Sequence, residues 1–142
     1  MDPILTVTDS PDPASLSVIG DGLNAYNDLS LGYADRRPLA VLVTDPATGA
    51  VLGGATGRTS LGVLFIDLVY LPDSLRGRDI GTRMIGLAEA EAVRRGCRTG
   101  VLYTMTIQAP GFYQRLGWRV FGEIACDPPG NHRVFLTKTL GG

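Results

Sequence analysis

Apolar residues recur along this chain at two different periods, and the switches between them mark out most of its elements. Leu16, Ile19, Leu23 and Tyr26 fall at helical spacing, so Pro13 to Tyr26 reads as an amphipathic helix. Asp12 and Pro13 resemble a cap followed by proline at the first helical position. Gly20 and Gly22 are expected to weaken or split that helix, and Asn27 to Arg37 reads as a short helix or loop. Ile4 to Thr8 alternates weakly and is expected to be an edge strand. Pro38 to Thr44 and Val51 to Gly57 read as strands joined by a turn-rich loop, Asp45 to Ala50. Val63 to Leu71 is almost continuously apolar, which predicts a third strand buried on both faces.

After a turn containing glycine and arginine the period returns to helical. Ile80, Met84, Leu87, Ala88 and Val93 trace the predicted apolar stripe, and Gly96 ends the helix. Thr99 to Met105 is a strand, Ala109 to Leu116 a short helix closed by Gly117, and Trp118 to Ile124 with Val134 to Thr139 a final hairpin. The order β-α-β-β-β-α-β-α-β-β predicts an α/β fold with a central mixed, mostly antiparallel sheet flanked by helices on both sides. No repeat or linker interrupts it, so residues 1–142 are expected to form a single domain.

Composition narrows the class. With 44% hydrophobic and 19% charged residues the chain has the balance of a soluble globular protein. The run from Leu61 to Ile66 is too short to span a bilayer, and the first residues show no basic stretch leading into a long apolar one. Neither a membrane partner nor a secretory signal is expected. Cys97 and Cys126 stand in no metal-ligand spacing, which fits a reduced, cytoplasmic setting and predicts no metal. Charge is uneven: residues 1–75 carry a net −6, residues 76–119 a net +5, and the remainder is neutral. The basic segment reads either as a solvated helix surface or as an attractor of a polyanion. No basic stripe interleaved with aromatic residues points to nucleic acid.

The basic segment follows the third strand and opens the second long helix. A helix start carries orphan N–H donors and partial positive charge, so strand, glycine turn and helix together form a site for a phosphate. The turn reads Arg76-Gly77-Arg78-Asp79-Ile80-Gly81. Farther on, Ala109-Pro-Gly-Phe-Tyr113 is followed by the pair Gly117-Trp118.

Together these two stretches resemble the GNAT superfamily of N-acetyltransferases, and the similarity covers nearly the whole chain. The family's phosphate loop is Gln/Arg-x-x-Gly-x-Gly/Ala, and its second signature is an Ala followed four residues later by Tyr and then by a glycine–aromatic pair. The resemblance implies acetyl-CoA as acetyl donor, with its pyrophosphate on the backbone amides of Gly77, Arg78, Asp79, Ile80, Gly81 and Thr82. Arg76, Arg78 and Arg83 are available to the charged phosphates. Carried over by spacing from the loop, the backbone of Val69 and Leu71 is expected to hydrogen-bond the pantetheine where the strand splays from its neighbour. Asp79 departs from the motif by standing where the family has glycine. Asp tolerates a left-handed backbone, so the turn is expected to survive with the carboxylate turned outward.

Tyr113 matches the family tyrosine that protonates the departing thiolate. A phenol suits that step because its pKa lies near or above that of a thiol. Packing against Trp118 is the bland alternative. Asp67, a carboxylate inside an apolar strand, either pairs locally or serves as the general base. Tyr26, Asn27 and His132 are the expected acceptor-side residues, and Gln108 is expected to cap the Tyr113 helix or touch pantetheine. The implied function is transfer of an acetyl group to a primary amine, of a small molecule rather than a protein or peptide. A non-catalytic CoA-binding module is the rival reading. Many relatives pair, so a homodimer is compatible with the resemblance.

Overall fold

The computed structural model describes residues 2–141, in two compact units, Met1–Ala34 and Asp35–Gly142. The first unit contains helix α1, Pro13–Leu31. Asp12 caps it by accepting from the Ser15 amide at 2.7 Å, Pro13 opens it, and the Gly32 N–H donates to the Asp28 carbonyl at φ 82. That Ser15 N–H, the largest influence, holds the Asp12 carboxyl below its ordinary range. With both ends satisfied, Gly20 and Gly22 do not split the helix, although each costs about 1 kcal/mol relative to alanine. The helix runs five residues past Tyr26, which therefore sits, with Asn27, within α1 rather than at its end. The expected strand over Ile4 to Thr8 does not form. The weak alternation there has no ladder partner to recruit it.

The second unit carries strands β1 (Arg37–Thr44), β2 (Val51–Ser60), β3 (Val63–Tyr70), β4 (Thr99–Met105), β5 (Arg119–Cys126) and β6 (Asn131–Thr139). They form one sheet in the order β1-β2-β3-β4-β6-β5. Only β3 and β4 run parallel, so the sheet is mixed and mostly antiparallel, as expected. Their crossover is helix α2, Ile80–Arg94, and a short helix α3, Gly111–Arg115, follows β4. Among the described residues no helix is long and apolar enough to cross a membrane.

The core lies between α2, α3 and one face of this sheet: Leu64 and Ile66 of β3, Leu102 of β4, Val134 and Leu136 of β6, and Ile85, Ala88 and Ala92 of α2. Ala88 and Ala92 let the helix come close to the strands. The buried stripe of α2 is Met84, Ile85, Ala88 and Ala92, while Leu87 and Val93, expected on it, are exposed. The expected and buried stripes share Met84 and Ala88, and the small side chains of Ala88 and Ala92 turn that side of the helix, rather than Leu87 and Val93, against the sheet. Two polar clusters fix α2 in place. Arg95, just past its end, bonds Glu91, the Pro38 carbonyl and Thr59. Glu89 accepts from the Trp118 indole at 3.2 Å and pairs with Lys138 at 2.7 Å.

Strand β3 departs from expectation in a way that matters. Its first half is covered, but Asp67, Leu68 and Tyr70 are exposed. The strand is therefore not buried on both faces along its length. The reason lies in its ladders. Pairing with β4 runs from Val63–Thr99 to Ile66–Leu102 and ends there. Beyond that rung β3 stays with β2 as far as Tyr70, and β4 stays with β6 as far as Met105. The two strands part. The β2–β3 register shifts at the same level, between Thr56 and Gly57, leaving Asp67 as the extra residue of a bulge.

Candidate active site

The gap between β3 and β4 opens toward the turn that leads into α2. A 3₁₀ turn, Asp73–Leu75, follows Pro72, and Arg76 then folds back. Its Nε donates to the Leu71 carbonyl at 3.0 Å and its guanidinium pairs with Asp73 at 2.9 Å. Arg76 thus braces the loop with the groups expected to face phosphate. Arg78 and Arg83 are exposed and enter none of the ion pairs among the described residues.

Gly77 takes φ 73 and Asp79 φ 65, both left-handed. The glycine-like backbone expected at Asp79 is therefore present, with aspartate tolerating it. Asp79 is exposed and its carboxylate makes no capping bond. The first helical bond of α2 runs from the Arg83 amide to the Asp79 carbonyl at 3.2 Å. The N–H groups of Ile80, Gly81 and Thr82 come before it and have no carbonyl one turn back to accept from them. Three orphan donors, the positive end of a helix and two unpaired arginines converge on one turn, and anions bind such places.

The second motif adjoins the first. A Cβ built on Gly81 would lie 3.2 Å from Phe112 Cζ and 3.7 Å from Leu71 Cδ1. Loop, strand end and α3 therefore meet at one glycine. Phe112 packs edge-on to Tyr113 at 5.0 Å between ring centroids, and Tyr113 edge-on to Trp118 at 6.5 Å. Trp118 in turn lies over Gly100, where a Cβ would come within 2.6 Å of its ring. Tyr113 is only 7% exposed, and burial pushes its phenol above the ordinary 10.0. Its hydroxyl is not among the sealed, unpaired polar side-chain atoms, a set that holds Asn131 Oδ1 alone among the described residues. The ring is packed, and the hydroxyl is not walled in without a partner.

The loop before α3 is strained. Ala109 sits at φ 59, so two of the three non-glycine residues with positive φ among the described residues, Asp79 and Ala109, lie in the two motifs. Gln108 accepts from the Met105 amide at 2.9 Å and the Thr104 hydroxyl at 3.0 Å, closing the end of β4. Gln108 therefore does not cap the Tyr113 helix as expected: Pro110 stands at the start of α3 with no side-chain cap, because the Gln108 oxygen is taken up by the end of β4.

Asp67 has a local partner. Arg58 of β2 donates to both its oxygens, at 2.9 and 3.2 Å, and lies over the Phe65 ring at 4.4 Å. Nearly half of the carboxylate side chain remains exposed, at 48%. His132 is partly buried at the start of β6, where Thr106 Oγ1 accepts from its amide at 3.0 Å and donates to its carbonyl at 3.3 Å. That backbone contact puts His132 beside the end of β4, at the same edge of the sheet as the opening. Tyr26 and Asn27 belong to the first unit. Sequence reasoning missed Arg58, Phe112 and Tyr103. Only the strand register reveals that Tyr103 is the first residue of β4 beyond its last rung with β3.

Residues 11–118 match the sequence profile of the family described as Acetyltransferase (GNAT) family. The chain belongs to the GNAT acetyltransferase family. This GNAT protein is 31% identical to Acetyltransferase Atu2258 of Agrobacterium fabrum over 132 residues, covering 93% of this chain and 96% of that protein. It is 38% identical to Blasticidin-S acetyltransferase of Streptomyces morookaense over 109 residues, covering 75% and 80% respectively. Among solved structures it is similar to an Agrobacterium tumefaciens protein, with a TM-score of 0.89 at 30% identity over 96% of this chain and 99% of that one. The fold and the family expected from the two motifs are therefore established, and with them an acetyltransferase activity.

Proposed function

We propose that this GNAT acetyltransferase moves an acetyl group from acetyl-CoA to a primary amine of a small molecule. The observation that carries the reading is the parting of β3 and β4 beyond Ile66 and Leu102, directly above the uncapped start of α2. A ligand with an anionic head and a long, slender arm fits that arrangement. The head lies on the amides of Ile80, Gly81 and Thr82, near Arg78. The arm runs along the free edge of β3, where backbone groups of Val69 and Leu71 bond it as an added strand would. Gly81 keeps the approach open.

Acetyl-CoA supplies the activated acetyl thioester. A backbone N–H of the β3 bulge polarises the thioester carbonyl. The neutral amine forms a bond to the carbonyl carbon, the carbon–sulfur bond breaks, and Tyr113 gives its proton to the sulfur. The amine's proton leaves through water, and solvent reprotonates the Tyr113 phenolate. A buried phenol stays protonated through neutral pH, which is the state a general acid requires. Asp67 takes the amine's proton through water, a role supported by its half-exposed carboxylate beside Arg58. Similarity to a blasticidin-S acetyltransferase supports a small-molecule acceptor. Free-thiol release across an amine panel tests the reading, and a purely CoA-binding module would release none above background.

A further inference from the structure

Helix α2 packs on the core face of the sheet, so an acyl arm that starts at its first turn and passes between β3 and β4 delivers its end to the opposite face. Asp67 and Tyr103 flank that exit. Each is the residue directly after the last shared rung, Ile66–Leu102, and alternation turns each away from the core face on which Ile66 and Leu102 lie. Asp67 is confirmed there by its bond to Arg58, which lies over Phe65, the residue between the two buried positions Leu64 and Ile66.

Tyr103 is half exposed, at 51%, yet it is held firmly. It pairs in register with Phe135 at 5.6 Å between centroids, and Phe135 meets Phe121 at 6.2 Å, so three strands build one shelf of rings. Arg133, two residues before Phe135 on β6 and on the same side, lies over the Tyr103 ring at 5.7 Å. None of the ion pairs among the described residues uses Arg133. The charge balance at the exit is therefore lopsided: Asp67 is matched by Arg58, and Arg133 is left over. A guanidinium resting on a ring keeps its in-plane N–H fork free, which is the geometry that takes a carboxylate with two parallel hydrogen bonds.

We propose that Tyr103 and Arg133 form the acceptor-binding surface and select amines that also carry a carboxylate beside an apolar ring. The ring stacks on Tyr103, the carboxylate takes the Arg133 fork, and the amine is left at the opening between the strands. This inference rests on the acetyl-transfer reading above and deepens it by naming a substrate class.

The test is calorimetric titration of the CoA-saturated protein with two probes that differ by one group, phenylalanine and phenethylamine. Phenylalanine should bind at least about tenfold more tightly. Arg133→Gln should reduce that preference to about twofold or less, whereas Tyr103→Leu should weaken both probes by about fivefold while leaving part of the preference. CoA affinity in both variants should match the wild type, which confirms an intact fold. Equal binding of the two probes, a preference that survives Arg133→Gln, or binding of neither probe would overturn the proposal. A thiol-release assay on the same samples separates the two readings. Selective binding without release upholds the acceptor class and removes acetyl transfer.

Discussion

Gly81 and Phe112 bring the two motifs of this chain into contact: a Cβ on the glycine would stand 3.2 Å from the phenylalanine Cζ. The first turn of α2, which presents the orphan amides, thus borders the helix that carries Tyr113. Gly81→Val forces branched bulk into that contact and against Leu71. It is expected to destabilise the protein by about 1–3 kcal/mol and to raise the acetyl-CoA KM. Thermal melts and initial rates check both. A variant with wild-type KM would show that the amides of this turn do not carry the donor.

Asp79 already holds the backbone conformation that glycine favours. Asp79→Gly therefore needs no rearrangement, and it removes an exposed carboxylate that caps nothing. The expected result is acetyl-CoA affinity within about tenfold of wild type, measured by calorimetry. A gain of about a hundredfold, equal to about 2.7 kcal/mol, would mean that the carboxylate opposes the phosphates directly. Asp79→Ile, by contrast, should cost about 1–2 kcal/mol in stability, since a β-branched side chain resists the left-handed region.

Gly100 and Trp118 anchor the tyrosine from below. A Cβ at residue 100 would come within 2.6 Å of Trp118 Cη2, so Gly100→Ala must displace the indole and its bond to Glu89. A loss of about 1–3 kcal/mol in denaturant unfolding is expected. Turnover should fall as well, because Tyr113 packs on the displaced ring. Stability lost with kcat intact would separate Trp118 from the site.

Burial of Tyr113 makes a prediction about pH. The folded protein holds the phenolic proton above 10.0, where the unfolded chain has begun to release it. Well below 10.0 both states are protonated and the group is neutral in its effect on stability. As pH rises through 10.0 the unfolded state gains by releasing the proton, so stability falls until pH reaches the folded value. The alkaline limb of kcat assigned to Tyr113 should accordingly lie above 10.0 and vanish in Tyr113→Phe. A limb near neutral pH that persists in the variant would belong to another group.

Much of this was legible in the chain because local chemistry and tertiary context agree. Asp12 and Pro13 start α1, the Arg76 to Gly81 turn starts α2, and Leu64, Ile66 and Leu102 face the core. The failures share a cause. Ile4 to Thr8 had enough alternation for a strand but no ladder, and Leu87 had enough hydrophobicity for the core but the wrong phase beside Ala88. Leu68 and Tyr70 read as buried because apolar composition cannot report where two strands part. The same blindness hid Tyr103, an ordinary strand tyrosine until the rung at Leu102 proves to be the last. Asp67 was recognised as needing a partner, but Arg58 could be named only from the β2–β3 register.

In the proposed reaction, amides of α2 hold acetyl-CoA while Tyr113 completes transfer to an amine. Thiol release with mass detection of acetylated products, run side by side on wild type and Tyr113→Phe across an amine library, tests it most directly. The wild type should release thiol coupled to an acetylated amine. In the variant turnover should be at least about a hundredfold slower, with acetyl-CoA affinity unchanged. Thiol release with no amine acetylated, or equal turnover in the two proteins, would contradict it.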